Sequence, residues 1–365
     1  MVKRTRFSTA VVALGIAGIS ASAFAADMPV KAPRLEAVAP SGVYVWIDGS
    51  YQSIKLPSFA LGFKLRSPVG DDLGPSETYD PRVRGYGVAG AVGYIFPYGT
   101  FSPFGSNARL ELGGSYVRAT GSQSGAGPVF SLFTPVNVNG IAGASTACLG
   151  AGCQTTSILQ TDYKAWQVNL KAAGDFRLAA ATVTPSVQVF GGEAHNDQGF
   201  QQVLNALPAA TVNSVYDATV STRWTDVGLK LGLDASVPLD SWVSFGLGGS
   251  IGAANRRVSL AAADAGLLLG AGGPLPSPVP GAISTSAITT AYLANAEARL
   301  TFMPWSNVAL KAFGGLNYDS RVPGISTPVL AKGGGPPAGI TYARETSYYA
   351  GGRLTVKLAP PAVAN

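Results

Sequence analysis

Two neighbouring segments near the C-terminus alternate apolar and polar residues with a period of two. In residues 292–302 the even positions carry Tyr, Ala, Ala, Ala, Leu and Phe, whereas Asn295 and Glu297 stand at odd positions. Residues 308–318 repeat the pattern, with Lys311 between apolar even positions. Because successive side chains of a strand point to opposite faces, each segment predicts a β-strand with one apolar and one polar face.

The same test along the whole chain gives ten candidate strands: 42–54, 82–96, 108–120, 162–178, 183–194, 218–236, 242–256, 287–303, 307–320 and 343–358. Their connections alternate between short (97–107, 179–182, 237–241, 304–306) and long (55–81, 121–161, 195–217, 257–286, 321–342). Transmembrane barrels have short periplasmic turns and long extracellular loops. The pattern therefore predicts an all-β protein, a single closed antiparallel transmembrane β-barrel. It has about ten strands, and eight to twelve fit the same pattern.

Composition supports a membrane protein without membrane-spanning helices. Only 13% of the residues are charged, against about a quarter in soluble proteins, and 47% are hydrophobic. Beyond the N-terminus no apolar run is long enough for a membrane helix. Closed barrels are the other structure that pairs every backbone group within lipid, so the composition also favours a barrel.

The N-terminus has the three parts of a cleaved export signal. Lys3, Arg4 and Arg6 precede the short apolar stretch 11–22, and Ala-Phe-Ala at 23–25 fits a cleavage site. Removing this segment lowers the formal charge from +6 to +3, and no basic patch indicates a nucleic-acid partner. The predicted organisation is a signal peptide at 1–25, a periplasmic lead at 26–41, the barrel at 42–358 and a C-terminal tail at 359–365.

Aromatic residues concentrate beside the predicted turns. Tyr94 and Phe96 adjoin the first short turn, and Trp242 and Trp305 flank two others. Trp46 stands near the start of the first strand, and Trp166 lies toward the loop end of its strand. Trp and Tyr prefer the membrane–water boundary, so these residues are expected at the interfaces.

The lead Ala-Asp-Met-Pro-Val-Lys-Ala-Pro at 26–33, followed by an aromatic first strand, resembles outer-membrane β-barrel proteins of the rhizobial and Brucella type. The chain is also similar, more distantly, to Legionella-type pore-forming outer-membrane proteins. The resemblance implies an outer-membrane location and insertion by the barrel-assembly machinery. Members of such families commonly end on an aromatic residue, whereas this chain continues past Leu358 to Asn365.

Projecting the alternation inward predicts a set of charges that face the barrel lumen. The set is Asp48, Arg109, Glu111, Lys171, Asp175, Arg177, Asp226, Lys230, Asp234, Glu297, Arg299, Lys311, Asp319, Arg353 and Lys357. Such charges either pair into salt bridges that fill the interior or line a channel. Because a ten-stranded barrel is narrow, a filled interior is favoured. Glycines such as Gly248 and Gly252 on the strand faces are expected to leave room for water.

Two cysteines, Cys148 and Cys153, lie in the second long connection. In an oxidising compartment this spacing favours a loop disulfide over free thiols, and a zinc site would need more ligands. His195 is the single histidine; it stands near Glu193 and Asp197, without a serine in a hydrolase motif. No cofactor, metal or catalytic residues are therefore predicted.

Three functions remain open at this point. The favoured one is a structural barrel or a small porin-like passage for ions and small solutes, with lipid and lipopolysaccharide as its surroundings. A surface adhesin or antigen that acts through the long loops 121–161 and 257–286 is the second. An outer-membrane lipid hydrolase built on His195 is the third.

Overall fold

The computed structural model describes residues 41–60, 63–66, 72–75, 78–97, 105–129, 133–135, 138–139, 153–206, 212–270, 273–275, 281–326 and 336–358. Ten long strands dominate it. They are β1 (Gly42–Lys55), β2 (Arg82–Ile95), β3 (Ser106–Val129), β4 (Cys153–Leu178), β5 (Ala181–Ala206), β6 (Val212–Pro238), β7 (Val243–Gly270), β8 (Gly281–Trp305), β9 (Val308–Ile325) and β10 (Ile340–Lys357). In the described residues no helix is long and apolar enough to cross a membrane.

Each strand pairs in antiparallel fashion with the next strand along the chain, and the ring closes between the first and the last strand. The closing register runs from Tyr44 opposite Lys357 to Ser53 opposite Tyr348. Every barrel strand thus has two hydrogen-bonded neighbours, which removes the unpaired edges of an open sheet. The predicted fold class, a closed all-β antiparallel barrel of about ten strands, is confirmed.

All ten predicted strands form, but several extend much further at their loop ends than the alternation indicated. The strand predicted at 242–256 continues to Gly270, and the one at 183–194 continues to Ala206. The predicted loops 195–217 and 257–286 were therefore wrong in extent, since both are largely strand. The reason is backbone pairing: hydrogen bonds to neighbouring strands continue where the contrast between the two faces weakens.

The outward face carries an apolar belt over the half of the barrel next to the short turns. On β6 the exposed residues Val227, Leu229, Leu231 and Leu233 alternate with inward residues. Toward the loop end of the same face the sequence changes to Thr225, Arg223 and Ser221. A transmembrane strand needs about 9 to 11 residues, so strands of 24 to 28 residues extend well past the belt.

Beyond the belt the apolar residues move to the inner face. Tyr216 and Val220 on β6 are buried inside the barrel, next to Leu260 and Phe200 of the adjoining strands. Four residues from the connections pack against this inner cluster: Phe59, Tyr79, Val138 and Ala338. We call this set the apolar plug. The loop half of the barrel thus resembles a soluble protein, with an apolar core and a polar surface.

Small elements complete the described part. Phe63–Arg66 pairs with Asp72–Pro75 and with Phe133–Pro135 in a three-stranded sheet. Gly273–Leu275 pairs with the end of β7. At the opposite end, Ala179 holds a φ of 53° in the two-residue turn between β4 and β5, as such tight turns require.

Candidate functional site

Several of the predicted lumen charges pair between neighbouring strands. Asp48 of β1 binds Arg353 of β10 at 2.7 Å, directly opposite it in the register. Arg109 binds Asp175 at 2.9 Å close to the short-turn end. These pairs satisfy buried charges that would otherwise be costly to desolvate.

The pair Asp234–Arg299 lies across an intervening strand. Asp234 on β6 and Arg299 on β8 approach to 2.6 Å, with β7 between them. The inward positions of β7 there are Gly246 and Gly248, and a Cβ at either position would clash with this pair. Neighbouring long side chains therefore take the space directly over these two glycines, although Gly248 still borders an interior chamber. Over Gly252 the space is taken by the Leu229 carbonyl and by Lys230.

Two interior carboxylates receive tyrosine hydroxyls, which the sequence analysis missed. Tyr44 donates to Glu111 at 2.9 Å, and Tyr349 donates to Glu297 at 3.1 Å. Tyr349 also accepts from the amide of Asn295 at 2.8 Å. These tyrosines share the inward parity of their strands, so the same alternation would have identified them.

Arg256 is the second group that the sequence analysis missed. It is 1% exposed and binds both Asp226 at 2.7 Å and Asp319 at 2.8 Å. The Arg256 guanidinium also lies over the ring of Trp224, 5.7 Å from its centroid. Arg256 stood at the last position of the strand predicted at 242–256, with the parity of the inward Gly252, so the signal was present.

Three interior lysines have no carboxylate partner. Lys171, Lys230 and Lys311 make no salt bridge within 4.0 Å to any described residue. Lys230 lies 4.6 Å from the ring centroid of Phe190. Arg177 and Lys357 differ from the other predicted lumen charges, since both are exposed at the short-turn end.

Two chambers follow one another inside the barrel. The first, about 160 Å³, is polar, and its charged lining residues are Lys171, Lys230, Arg299, Arg353, Asp234 and Glu297. The second, about 290 Å³, lies toward the loop end, and its walls include Trp224 and Arg256. Lys230, Ser250 and Asn295 line both chambers, so the two are adjacent.

Asp264 connects the apolar plug to the barrel wall beyond the belt. Its carboxylate accepts hydrogen bonds from the Tyr216 hydroxyl at 2.6 Å and from the backbone amides of Val138 at 2.8 Å and Gly281 at 2.9 Å. Burial raises the pKa of this carboxyl, and the three donors partly oppose the rise. The Asp264 side chain on β7 is thus hydrogen-bonded to β6, to the start of β8 and to Val138 of a loop-end connection.

The predicted interface aromatics are confirmed in part. Trp242 and Trp305 are exposed on the outer surface at the short turns, and Trp166 is exposed at the other edge of the belt. Trp46 was placed wrongly: it faces the interior, where the Arg353 guanidinium lies 3.8 Å from its ring centroid. Its stacking on an interior cation takes it away from the lipid boundary.

His195 lies outside the lumen. His195 contacts Glu193 on the outer surface, and Arg223 binds the same carboxylate. Cys148 lies outside the described residues, and the side chain of Cys153 is not described either, so the disulfide stays a prediction. Within the described ranges, no group of three or more His, Cys, Asp or Glu side chains is placed to hold a metal.

Neither a protein-family model nor a curated protein matches the sequence. Among solved structures, the outer-membrane protease OmpT from Escherichia coli is 12% identical, with a TM-score of 0.42 over 87% of this chain and 97% of that chain. An outer-membrane channel from Pseudomonas putida F1 is 9% identical, with a TM-score of 0.31 over 87% and 96%. The transport unit of the autotransporter AIDA-I from Escherichia coli is 8% identical, with a TM-score of 0.30 over 92% and 93%.

These likenesses are too distant to say anything about activity. The class of the protein follows instead from its own strand pairing and surface. A closed antiparallel barrel with an outward apolar belt, exposed aromatics at both belt edges and a polar interior is the architecture of outer-membrane proteins. The chain is an outer-membrane β-barrel.

Proposed function

We propose that the barrel is a narrow, poorly conducting passage for ions and small solutes. The observation that carries the proposal is the succession of two adjacent chambers inside the barrel, the first of them polar and narrowed by paired charges such as Asp234–Arg299. Wide aqueous pores need 16 to 18 strands, and a ten-stranded barrel is filled largely by its own side chains. We also propose that the chain is related to the rhizobial and Brucella outer-membrane barrels, which its segment 26–33 and its first strand resemble.

The apolar plug limits the passage at the loop end. Phe59, Tyr79 and Val138 place apolar side chains inside the barrel above the second chamber. Water and ions cross such apolar constrictions poorly, since apolar walls offer no replacement for lost hydration. The two restrictions together support a small conductance.

The test is single-channel recording on the purified mature protein in planar bilayers. Wild type should give small unitary currents, and the D234A/R299A variant should give larger ones, because it removes the pair that narrows the first chamber. The matched control is D162A/K164A. It removes an outward pair of the same charge types, 2.9 Å apart, and should leave the current unchanged.

Two results would contradict the proposal. A stable nanosiemens conductance from wild type would show a general diffusion pore. If neither wild type nor D234A/R299A carries a current, the barrel is purely structural. The surface-antigen alternative would then be favoured.

The proposed partners are the lipids of the outer membrane, lipopolysaccharide among them. Arg118, Lys164, His195 and Arg223 stand side by side on the outer surface of four successive strands, just beyond the belt. Asp162 and Glu193 neutralise part of this row. Lipid phosphates would complement the remaining charge, so R118Q/R223Q should co-purify with less lipopolysaccharide than wild type.

A further inference from the structure

We propose that the first chamber binds small anions and that the passage is anion-selective. This inference rests on the proposed passage and names the class of solute that it favours. The ligand class is a chloride-sized inorganic anion or a small carboxylate.

The interior carboxylates of the predicted lumen set all have donors. Asp48, Asp175 and Asp234 bind arginines, and Asp226 and Asp319 share Arg256. Glu111 and Glu297 accept tyrosine hydroxyls. Each of these carboxylates therefore has a donor closer than the nearest lysine.

The lysines of the same set make no direct ion pair with a described carboxylate. Lys171 on β4 and Lys230 on β6 flank Gln188 of β5 in one cross-strand row, with their side chains inward. Neither makes a salt bridge to a described residue, and both line the first chamber. Because an unpaired charge away from bulk water is costly, a mobile anion is the partner that stabilises this arrangement.

The rest of the chamber wall suits an anion. Arg299 and Arg353 add guanidinium groups whose carboxylate partners, Asp234 and Asp48, each occupy part of their donors. Ser186, Gln188, Ser250 and Asn295 contribute polar groups that can donate hydrogen bonds. At about 160 Å³ the chamber holds a few waters or one small anion and excludes larger organic ones.

The test is the reversal potential in a KCl gradient across a planar bilayer. Wild type should prefer chloride over potassium by roughly tenfold. Four cations against two carboxylates, Asp234 and Glu297, give the chamber lining an excess of positive charge, which concentrates anions. K171Q/K230Q should bring the ratio close to unity. The control R257Q removes an exposed outward cation from β7 and should keep the wild-type ratio.

The outcomes separate this inference from the proposed passage. A current without anion preference, or a preference that survives in K171Q/K230Q, overturns the anion site and leaves the passage. If no variant conducts, the passage fails, and thermal unfolding in chloride against gluconate decides the site. A higher unfolding temperature in chloride than in gluconate that is lost in K171Q/K230Q supports the site. The same difference in wild type and in K171Q/K230Q overturns it. Should the double variant not fold, K171Q and K230Q are compared singly.

Discussion

Replacing Arg256 with alanine is expected to destabilise the barrel more than any change on its outer surface. The guanidinium donates two hydrogen bonds to Asp226, two to Asp319 and one to the Arg321 carbonyl, at 2.6 to 3.1 Å. Its removal leaves two carboxylates facing each other without a cation. Breaking a buried ion pair from one side costs about 3 to 5 kcal/mol of unfolding free energy, so R256A should lose that much.

Arg257 provides a matched control on the next position of the same strand. Its side chain points outward and is exposed, and no hydrogen bond or salt bridge involves it in the described structure. Surface substitutions of this kind change stability by about 0.5 kcal/mol or less, so R257A should unfold like wild type. Urea unfolding in detergent micelles, followed by tryptophan fluorescence and by the gel shift on boiling, measures both variants.

The triple variant R256M/D226L/D319L separates the cost of a broken pair from the value of the whole cluster. Replacing a buried ionic group entirely by apolar residues of similar volume is often neutral or stabilising, so this variant should recover most of the lost stability. If R256A and R257A unfold at the same urea concentration, the assignment of Arg256 as a buried structural cation is refuted.

Three further predictions follow from the register, the plug and the cysteines. Ala296 faces lipid and Asn295 faces the interior. An arginine on the lipid face costs about 2 to 4 kcal/mol, so A296R should impair assembly more than N295R does. Equal gel shifts on boiling for the two variants would refute the register. Because burial raises the pKa of Asp264, the folded state binds its proton more tightly, and stability should fall as pH rises from about 4. D264N should flatten that slope in unfolding curves. Cys148 and Cys153 should label with maleimide only after reduction, and full labelling beforehand would exclude the disulfide.

The sequence by itself determined the strands and the two faces of the wall. Alternation with a period of two places Asn295 and Glu297 on one side and Ala296 on the other, whatever the neighbouring strand is. Low charge without a long apolar run then requires a closed ring, because lipid offers no partner for a free strand edge. Strand number and closure were therefore predictable from local pattern alone.

Only the tertiary structure decided which interior groups meet. Asp48 and Arg353 are 305 residues apart and become neighbours because the first and last strands close the ring in one particular register. The space over Gly248 is taken by side chains from strands on either side, which no single strand reveals. The change of apolar residues to the inner face beyond the belt likewise depends on where the lipid ends and where Phe59 and Val138 insert. Local pattern fixes the face of a side chain, whereas its partners depend on the register between strands distant in sequence.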